Sequence, residues 1–500
     1  MDKISVLQLG NADWSSTYTI PPEAEWVYES ELTECPKRPY CLVFIDKIPS
    51  DDELKLLHKC TKAYCLYVRK GIDIQGNFLK FCISKICKLI RFEDVGIFLE
   101  NDLKYYFPRS YGEKFRNNNL GIAYGFKGSV KWHGNCGIEI CGDFGEEYNQ
   151  LLFWRNNIPI EKGQTIEFWM EYEKTKDVEI KLIITQYQSG SLSTVINKWE
   201  FVEEQFEHVV NVVNNEQSGP VSVSIHAKGK GTFKLIALHD RFARPGHGHF
   251  LPGGMRKVSS KREEVFFYFD PGDMKPPLNV YFSGYKTKEG FEGYFLMRNM
   301  GAPFLLVAEA RLEGGGFYMG SKEYEKMISD EIQEYVNDLG FKNTDVVMSG
   351  LSMGTFGALY YGCDIRPHAL ILGKPLANIG DVALNEKLKR PGGFPTSLDV
   401  VMNVFGDANK WNAYLLNDKF WNKFAKTNWN ETKFIMSYMI EDDYDSNAYQ
   451  DVISHLNSKG VKVYGKGVHG RHNDDTTAIV GWFQSQFDKI LLEDYGREKE

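Results

Sequence analysis

The order of apolar and polar residues predicts an α/β chain that ends in a doubly wound parallel sheet, with a β-sandwich and a small α/β domain ahead of it. Three observations carry this reading. After residue 260 buried-type strands alternate strictly with helix patterns, between 118 and 245 the hydrophobic period is two, and Gly350-Leu351-Ser352-Met353-Gly354 joins a strand to a helix. A chain of 500 residues also exceeds what one core sustains, in keeping with about three domains.

Residues 1–117 mix strand-like runs (Val6-Leu7-Gln8-Leu9, Cys41-Leu42-Val43-Phe44-Ile45, Tyr64-Cys65-Leu66-Tyr67-Val68) with helix-like segments such as Asp51 to Cys60. That alternation predicts a small α/β domain. Gly10-Asn11-Ala12-Asp13 follows the first strand but lacks the later glycines of a phosphate-cradling loop, so it reads as a structural turn.

From 118 to 245 the strands alternate. Ile166, Phe168, Met170 and Tyr172 interleave with Glu167, Trp169 and Glu171; Val178, Ile180 and Leu182 interleave with Glu179 and Lys181; Val221, Val223 and Ile225 repeat the pattern. Short alternating strands predict a two-sheet β-sandwich with one polar face per sheet. Trp132, Trp154, Trp169 and Trp199 read mainly as core, with one or two of them available as a sugar-stacking platform. A Gly-, Pro-, His- and Arg-rich linker follows, from Arg244 to Gly254. His247 and His249 lack nearby acidic or thiol ligands, which favours a solvated linker over a metal site.

In residues 260–500 the strand candidates are 265–269, 278–282, 304–307, 345–348, 369–372, 434–439 and 461–464. Their near-continuous apolar character predicts a sheet covered on both faces. One crossing helix places Tyr324, Ile328, Ile332, Tyr335 and Leu339 on a single side, and another runs near Ala448 to Leu456. The stretch 377–432, with Trp411, Trp421 and Trp429, interrupts the rhythm and reads as an insertion able to form a lid over the strand ends.

Composition narrows the function. Apolar residues make up 43% and aromatics 14% of a chain with net charge −8, which fits a globular protein and offers no basic stripe for nucleic acid. The first residues show no leader pattern and no apolar run reaches the roughly 20 residues that span a bilayer. A cytoplasmic protein with reduced thiols is expected, because nine cysteines at these spacings match neither a structural zinc site nor a disulfide framework. No cofactor or metal is expected.

The chemistry is expected at the strand–turn–helix around Ser352. A serine hydroxyl held on a tight turn above a sheet needs small neighbours, and Gly350 and Gly354 supply them. A nucleophilic serine also needs a base and an acid, which follow the serine in the order acid, then histidine, in an α/β-hydrolase-like sheet. Glu441-Asp442-Asp443 follows the strand ending at Met439, and His469-Gly470-Arg471-His472 follows the last strand. Asp442, mid-loop, is the expected acid, with Glu441 and Asp443 as register alternatives. His472 is the expected base, its loop held down by capping from Asn473 and Asp474, and His469 is the rival. His368 and His455 read as packing or surface residues. The backbone N–H groups of Met353 and Gly284 are the expected oxyanion donors.

Three segments together carry a resemblance: Val6-Leu7-Gln8-Leu9-Gly10-Asn11-Ala12-Asp13-Trp14, Gly350 to Ala358, and Gly470-Arg471-His472-Asn473-Asp474-Asp475-Thr476. The chain resembles, over its whole length, the second accessory Sec secretion proteins of Gram-positive bacteria. The resemblance implies an enzyme that O-acetylates N-acetylglucosamine on a serine-rich repeat glycoprotein adhesin and supports its export. It further implies sister accessory secretion proteins and an accessory motor ATPase as partners, and membrane association through the translocase at most. Ser352 then becomes the acetylated nucleophile and His472 the base; the family's acid is a glutamate where this chain has Asp442, beside Glu441. Two other readings remain, a noncatalytic scaffold of the secretion complex and a plain carboxylesterase.

Overall fold

The computed structural model describes residues 3–191, 193–389, 392–457 and 460–498. Three sheets organise them. The first holds five parallel strands in the order Ala24–Glu29, Ile4–Gly10, Leu42–Asp46, Leu66–Arg69, Lys88–Ile90. The helix Asp51–Cys60 that covers one face starts at a capping box between Ser50 and Glu53. Leu7, Val43, Leu54, Leu57 and Phe81 bury on that face, and Val6, Phe44, Phe98 and Tyr106 on the other. The crevice where strand order reverses, a common ligand position in such sheets, is filled by Trp14, whose indole donates to Asp46 at 3.0 Å. A Cβ on Gly10 would lie 2.8 Å from the Asp46 side chain, so the first turn serves packing.

The second sheet is antiparallel and ten-stranded, spanning Gly112 to Phe242. Its long strands Ile138–Trp154 and Gly219–Phe242 bend where their mutual register shifts near Ile225 and Gly229. Gly229 takes φ +88°, and a Cβ there would sit 2.0 Å from the Asp177 carbonyl. Ile140, Leu152, Phe168, Ile180, Val223 and Phe233 meet in one core. The expected polar face of the strand Thr165–Lys174 is not solvated: Glu167, Trp169 and Glu171 are as buried as their apolar neighbours. They face the third sheet, where Arg311 donates to Glu171 at 2.9 Å and Trp169 lies between Arg256 and Arg262. Trp154 is core and Trp132 is exposed.

The linker also departs from expectation. His247 lies 2.7 Å from Asp102 and 3.1 Å from the Tyr106 hydroxyl, His249 lies 3.1 Å from Glu167, and Phe250 is buried. The segment is wedged between the sheets rather than solvated, because its histidines find acceptors on both sides.

The strands of the third sheet are numbered β1 (Met255–Val258), β2 (Glu264–Asp270), β3 (Leu278–Phe282), β4 (Phe304–Glu309), β5 (Val346–Leu351), β6 (Ala369–Gly373), β7 (Lys433–Met439) and β8 (Val463–Val468). They lie in the order β1-β2-β4-β3-β5-β6-β7-β8, antiparallel at β1 and β2 and parallel from β4 to β8. The four-residue edge strand β1 is too short to show a period in sequence. Helix Lys322–Asp338, capped by Ser321, buries Tyr324, Ile328, Ile332 and Val336 against this sheet. Each such aliphatic side chain contributes about 1.5–3 kcal/mol. Helices Ile379–Leu388, Thr396–Phe405 and Lys410–Lys426 occupy the stretch between β6 and β7.

Candidate active site

β5 ends at Leu351, the helix Met353–Ile365 begins two residues later, and Ser352 between them takes φ +51° and ψ −119°. A non-glycine residue there costs on the order of 1–3 kcal/mol and persists only under close support. That support is steric. A Cβ on Gly350 would lie 2.3 Å from the Gly354 backbone, and one on Gly354 would lie 2.1 Å from the Phe282 carbonyl at the end of β3. The helix therefore seats directly on the sheet and turns the serine outward, half-exposed. Ser352 N–H donates to the Gly373 carbonyl at 2.8 Å, while the Thr355 hydroxyl donates to the Ser352 carbonyl at 2.6 Å and accepts from Leu376 N–H at 2.9 Å.

Loops after β7 and β8 bring the other groups to this turn. Ser352 Oγ is 2.8 Å from His472 Nε2, and His472 Nδ1 is 2.7 Å from Asp442 Oδ2. The histidine and the aspartate side chains are 1% and 6% exposed, so the relay is shielded up to the serine. Asp442 Oδ1 accepts the N–H groups of Tyr444 at 2.8 Å and Asp445 at 3.2 Å, which leaves Oδ2 for the imidazole. Asp443 accepts the His472 N–H at 3.1 Å.

The register alternatives fall elsewhere. His469 and Glu441 are exposed and pair with each other at 3.1 Å. The Gly470 N–H, and then His469, hold the Glu441 carboxyl below its ordinary range. His368 pairs with Asp494, and His455 stacks on Trp421. The capping expected of Asn473 and Asp474 is made by Asp475, which accepts the Ala478 N–H at 2.9 Å and starts the helix Thr476–Tyr495; Asp474 instead closes a turn with the Arg471 N–H.

Met353 opens its helix, so its N–H has no intrahelical acceptor. Gly284 follows β3 as expected, but its N–H donates to Glu292 at 2.6 Å, and Glu292 N–H donates back to the Ser283 hydroxyl at 3.0 Å. Glu292 carries no motif that would single it out from sequence. Lys374 is also buried beside the relay, with its Nζ 3.2 Å from the Thr476 hydroxyl. Burial lowers its ammonium, against the charges of Asp442 and Glu292. Tyr444 stacks on His472 at 4.4 Å, and Phe394 from the inserted stretch stacks on Tyr444 at 5.2 Å. No group of three or more potential metal ligands occurs among the described residues.

A family model described as Asp2, Accessory Sec system GspB-transporter, matches residues 4–497. The chain belongs to the Asp2 family. It is 36% identical over 509 residues, all of both chains, to the accessory Sec system protein Asp2 of Streptococcus gordonii. It is 41% identical over 391 residues to the protein of that name from Staphylococcus aureus, covering 78% of this chain and 75% of the relative. A chain of the Glycosylation Associate Protein (Gap123) complex from Streptococcus agalactiae superimposes with a TM-score of 0.87 at 35% identity, over 99% of this chain and 100% of that one. Membership in the Asp2 family makes the chain an accessory Sec system component. No described helix is long and apolar enough to cross a membrane.

Proposed function

We propose that the protein is a serine-dependent O-acetyltransferase of α/β-hydrolase type, which acetylates N-acetylglucosamine on a serine-rich repeat glycoprotein adhesin while supporting its export. One observation carries the reading: a half-exposed serine on a strained turn, 2.8 Å from an imidazole that a buried carboxylate holds at 2.7 Å. A scaffold has no physical need for that arrangement.

In the first half-reaction His472 Nε2 takes the proton from Ser352 Oγ as the oxygen bonds to the acyl carbon of an acetyl donor. Asp442 holds the Nδ1 proton and steadies the imidazolium. The Met353 N–H faces the developing oxyanion, and the Gly284 N–H joins it once Glu292 releases it. Collapse expels the donor's leaving group, which takes the proton from His472, and leaves acetyl-Ser352. A sugar hydroxyl then gives its proton to His472 and its oxygen to the acyl carbon; Ser352 leaves and recovers the proton.

Transfer rather than hydrolysis requires water to be excluded. The inserted stretch 377–432, which reaches the base through Phe394 and Tyr444, is the proposed lid. We assign the chain three domains, 1–117, 118–245 and 260–500, with the second available for glycan. The proposed setting is the cytoplasmic face of the membrane, beside sister accessory secretion proteins and the accessory motor ATPase. Mass spectrometry of exported adhesin from wild-type and Ser352→Ala cells tests the reading. Acetylated sugar is expected only in the wild type, and unchanged acetylation with a folded variant sinks it.

A further inference from the structure

Between the first sheet and the third lies a half-open cleft of about 390 Å³, lined among others by Arg244, Lys62, Phe107, Tyr268 and Tyr294. That volume falls within the range of about 300–1,000 Å³ seen for small-molecule sites. We propose that this cleft binds a small organic anion with a flat apolar body. The proposal is independent of the chemistry at Ser352.

The state of Arg244 carries it. The residue is 2% exposed, yet no carboxylate lines the cleft among the described residues. Its terminal nitrogens donate to the carbonyls of Tyr105 and Phe107, and its Cζ lies 3.6 Å from the centre of the Phe107 ring. Nε has no partner. The other two deeply buried arginines among the described residues contrast with it: Arg241 is paired with Glu264 and Glu289, and Arg311 with Glu171 and Glu263. A buried guanidinium held only by carbonyls retains an uncompensated charge. Burial accordingly pulls Arg244 down to about 10, opposed only by the Cys65 and Cys41 thiols and the Tyr106 phenol.

Tyr294 lines the cleft beside Tyr268, the two rings edge to face at 5.5 Å. An anionic oxygen is drawn to the Arg244 guanidinium, whereas the aromatic walls offer faces to a ring. Lys62 adds a second cation. The walls carry too few polar groups for a sugar, and two cations are too few for a nucleic acid backbone.

The test is fluorescence titration of the full chain with anilinonaphthalene sulfonate, an aromatic anion, and with phenylnaphthylamine, the same framework without charge. One-to-one saturable binding of the sulfonate is expected in the wild type. Arg244→Met should weaken the sulfonate by about tenfold or more while leaving the neutral probe within about threefold. Ser110→Trp, which places an indole at the rim and leaves Arg244 intact, should weaken both. Absence of saturable sulfonate binding overturns the proposal, as does equal weakening of both probes by Arg244→Met, or no effect of either variant. Should Arg244→Met lose its fold by circular dichroism, Ser110→Trp decides alone: block of the sulfonate supports the site and unchanged binding refutes it.

Discussion

The Tyr444 ring lies on the face of the His472 imidazole, with 4.4 Å between centroids and 26° between planes, while its own hydroxyl accepts from Asn473 and donates to the Gly393 carbonyl. A flat ring against the imidazole fixes its plane, so Nδ1 stays on Asp442 and Nε2 on Ser352. Tyr444→Ala is therefore expected to lower kcat by about tenfold through loss of alignment, with KM little changed, and Tyr444→Phe to retain most activity. Steady-state kinetics with a small acetyl ester read both.

Removing the proposed nucleophile or the proposed orienting acid tests the relay directly. Ser352→Ala should abolish acetyl-enzyme formation, read as the missing mass of an acetyl group. Asp442→Asn should leave the fold intact and cut kcat by about 10⁴-fold, since the amide favours the wrong imidazole tautomer. Activity of the Asn variant within tenfold of wild type would move the orienting role to another residue.

The exposed pair His469 and Glu441 supplies the contrast. His469→Ala and Glu441→Gln are expected to change acetyl-ester turnover by less than about twofold and leave the melting temperature in place, as surface changes usually do. A large loss in either variant would mean that the loop after β8 rearranges before reaction.

Gly354→Ala adds one methyl group, yet its carbon would lie 2.1 Å from the Phe282 carbonyl. The helix must then lift from β3. Loss of soluble protein, or a folded protein without turnover, is expected; wild-type turnover would disprove the steric account of the turn.

Arg241→Met addresses the interface between the second and third sheets. Glu264 is pushed up by burial, but Arg241 and Arg256 outweigh that and hold it well below its ordinary range. Its ionised form stabilises the fold fully above the unfolded value of about 4.3, and this contribution is lost as pH falls through the lower folded value. Denaturant titrations across acid pH should show that loss in the wild type. In Arg241→Met, stability at neutral pH should drop by about 3–5 kcal/mol and the acid dependence should flatten, because Glu264 no longer titrates so low.

Much of the fold is legible in the order of the residues. All seven strands expected after residue 260 have a counterpart, the last running Val463–Val468 rather than 461–464, and the period-two strands Thr165–Lys174 and Val178–Tyr187 are present as well. Those signals are local: a strand buried on both faces must be apolar throughout, and a half-buried one must alternate. The meaning of Glu167 and Glu171 was not legible, since a polar residue bound for solvent and one bound for a buried arginine look alike in a row of letters.

The sequence by itself marked the serine turn, because the clash that demands Gly350 is with the Gly354 backbone four residues on, whereas the contact of Gly354 with Phe282 exists only once β3 lies beneath the helix. It also narrowed the acid and base to two short loops. Only the tertiary structure placed Asp442 and His472, rather than their loop neighbours, in a hydrogen-bonded row with Ser352, buried Glu171 on Arg311, and set Glu292 on the Gly284 N–H. Steric rules act over a few residues, whereas burial and pairing depend on which distant surfaces meet when the sheets close on one another.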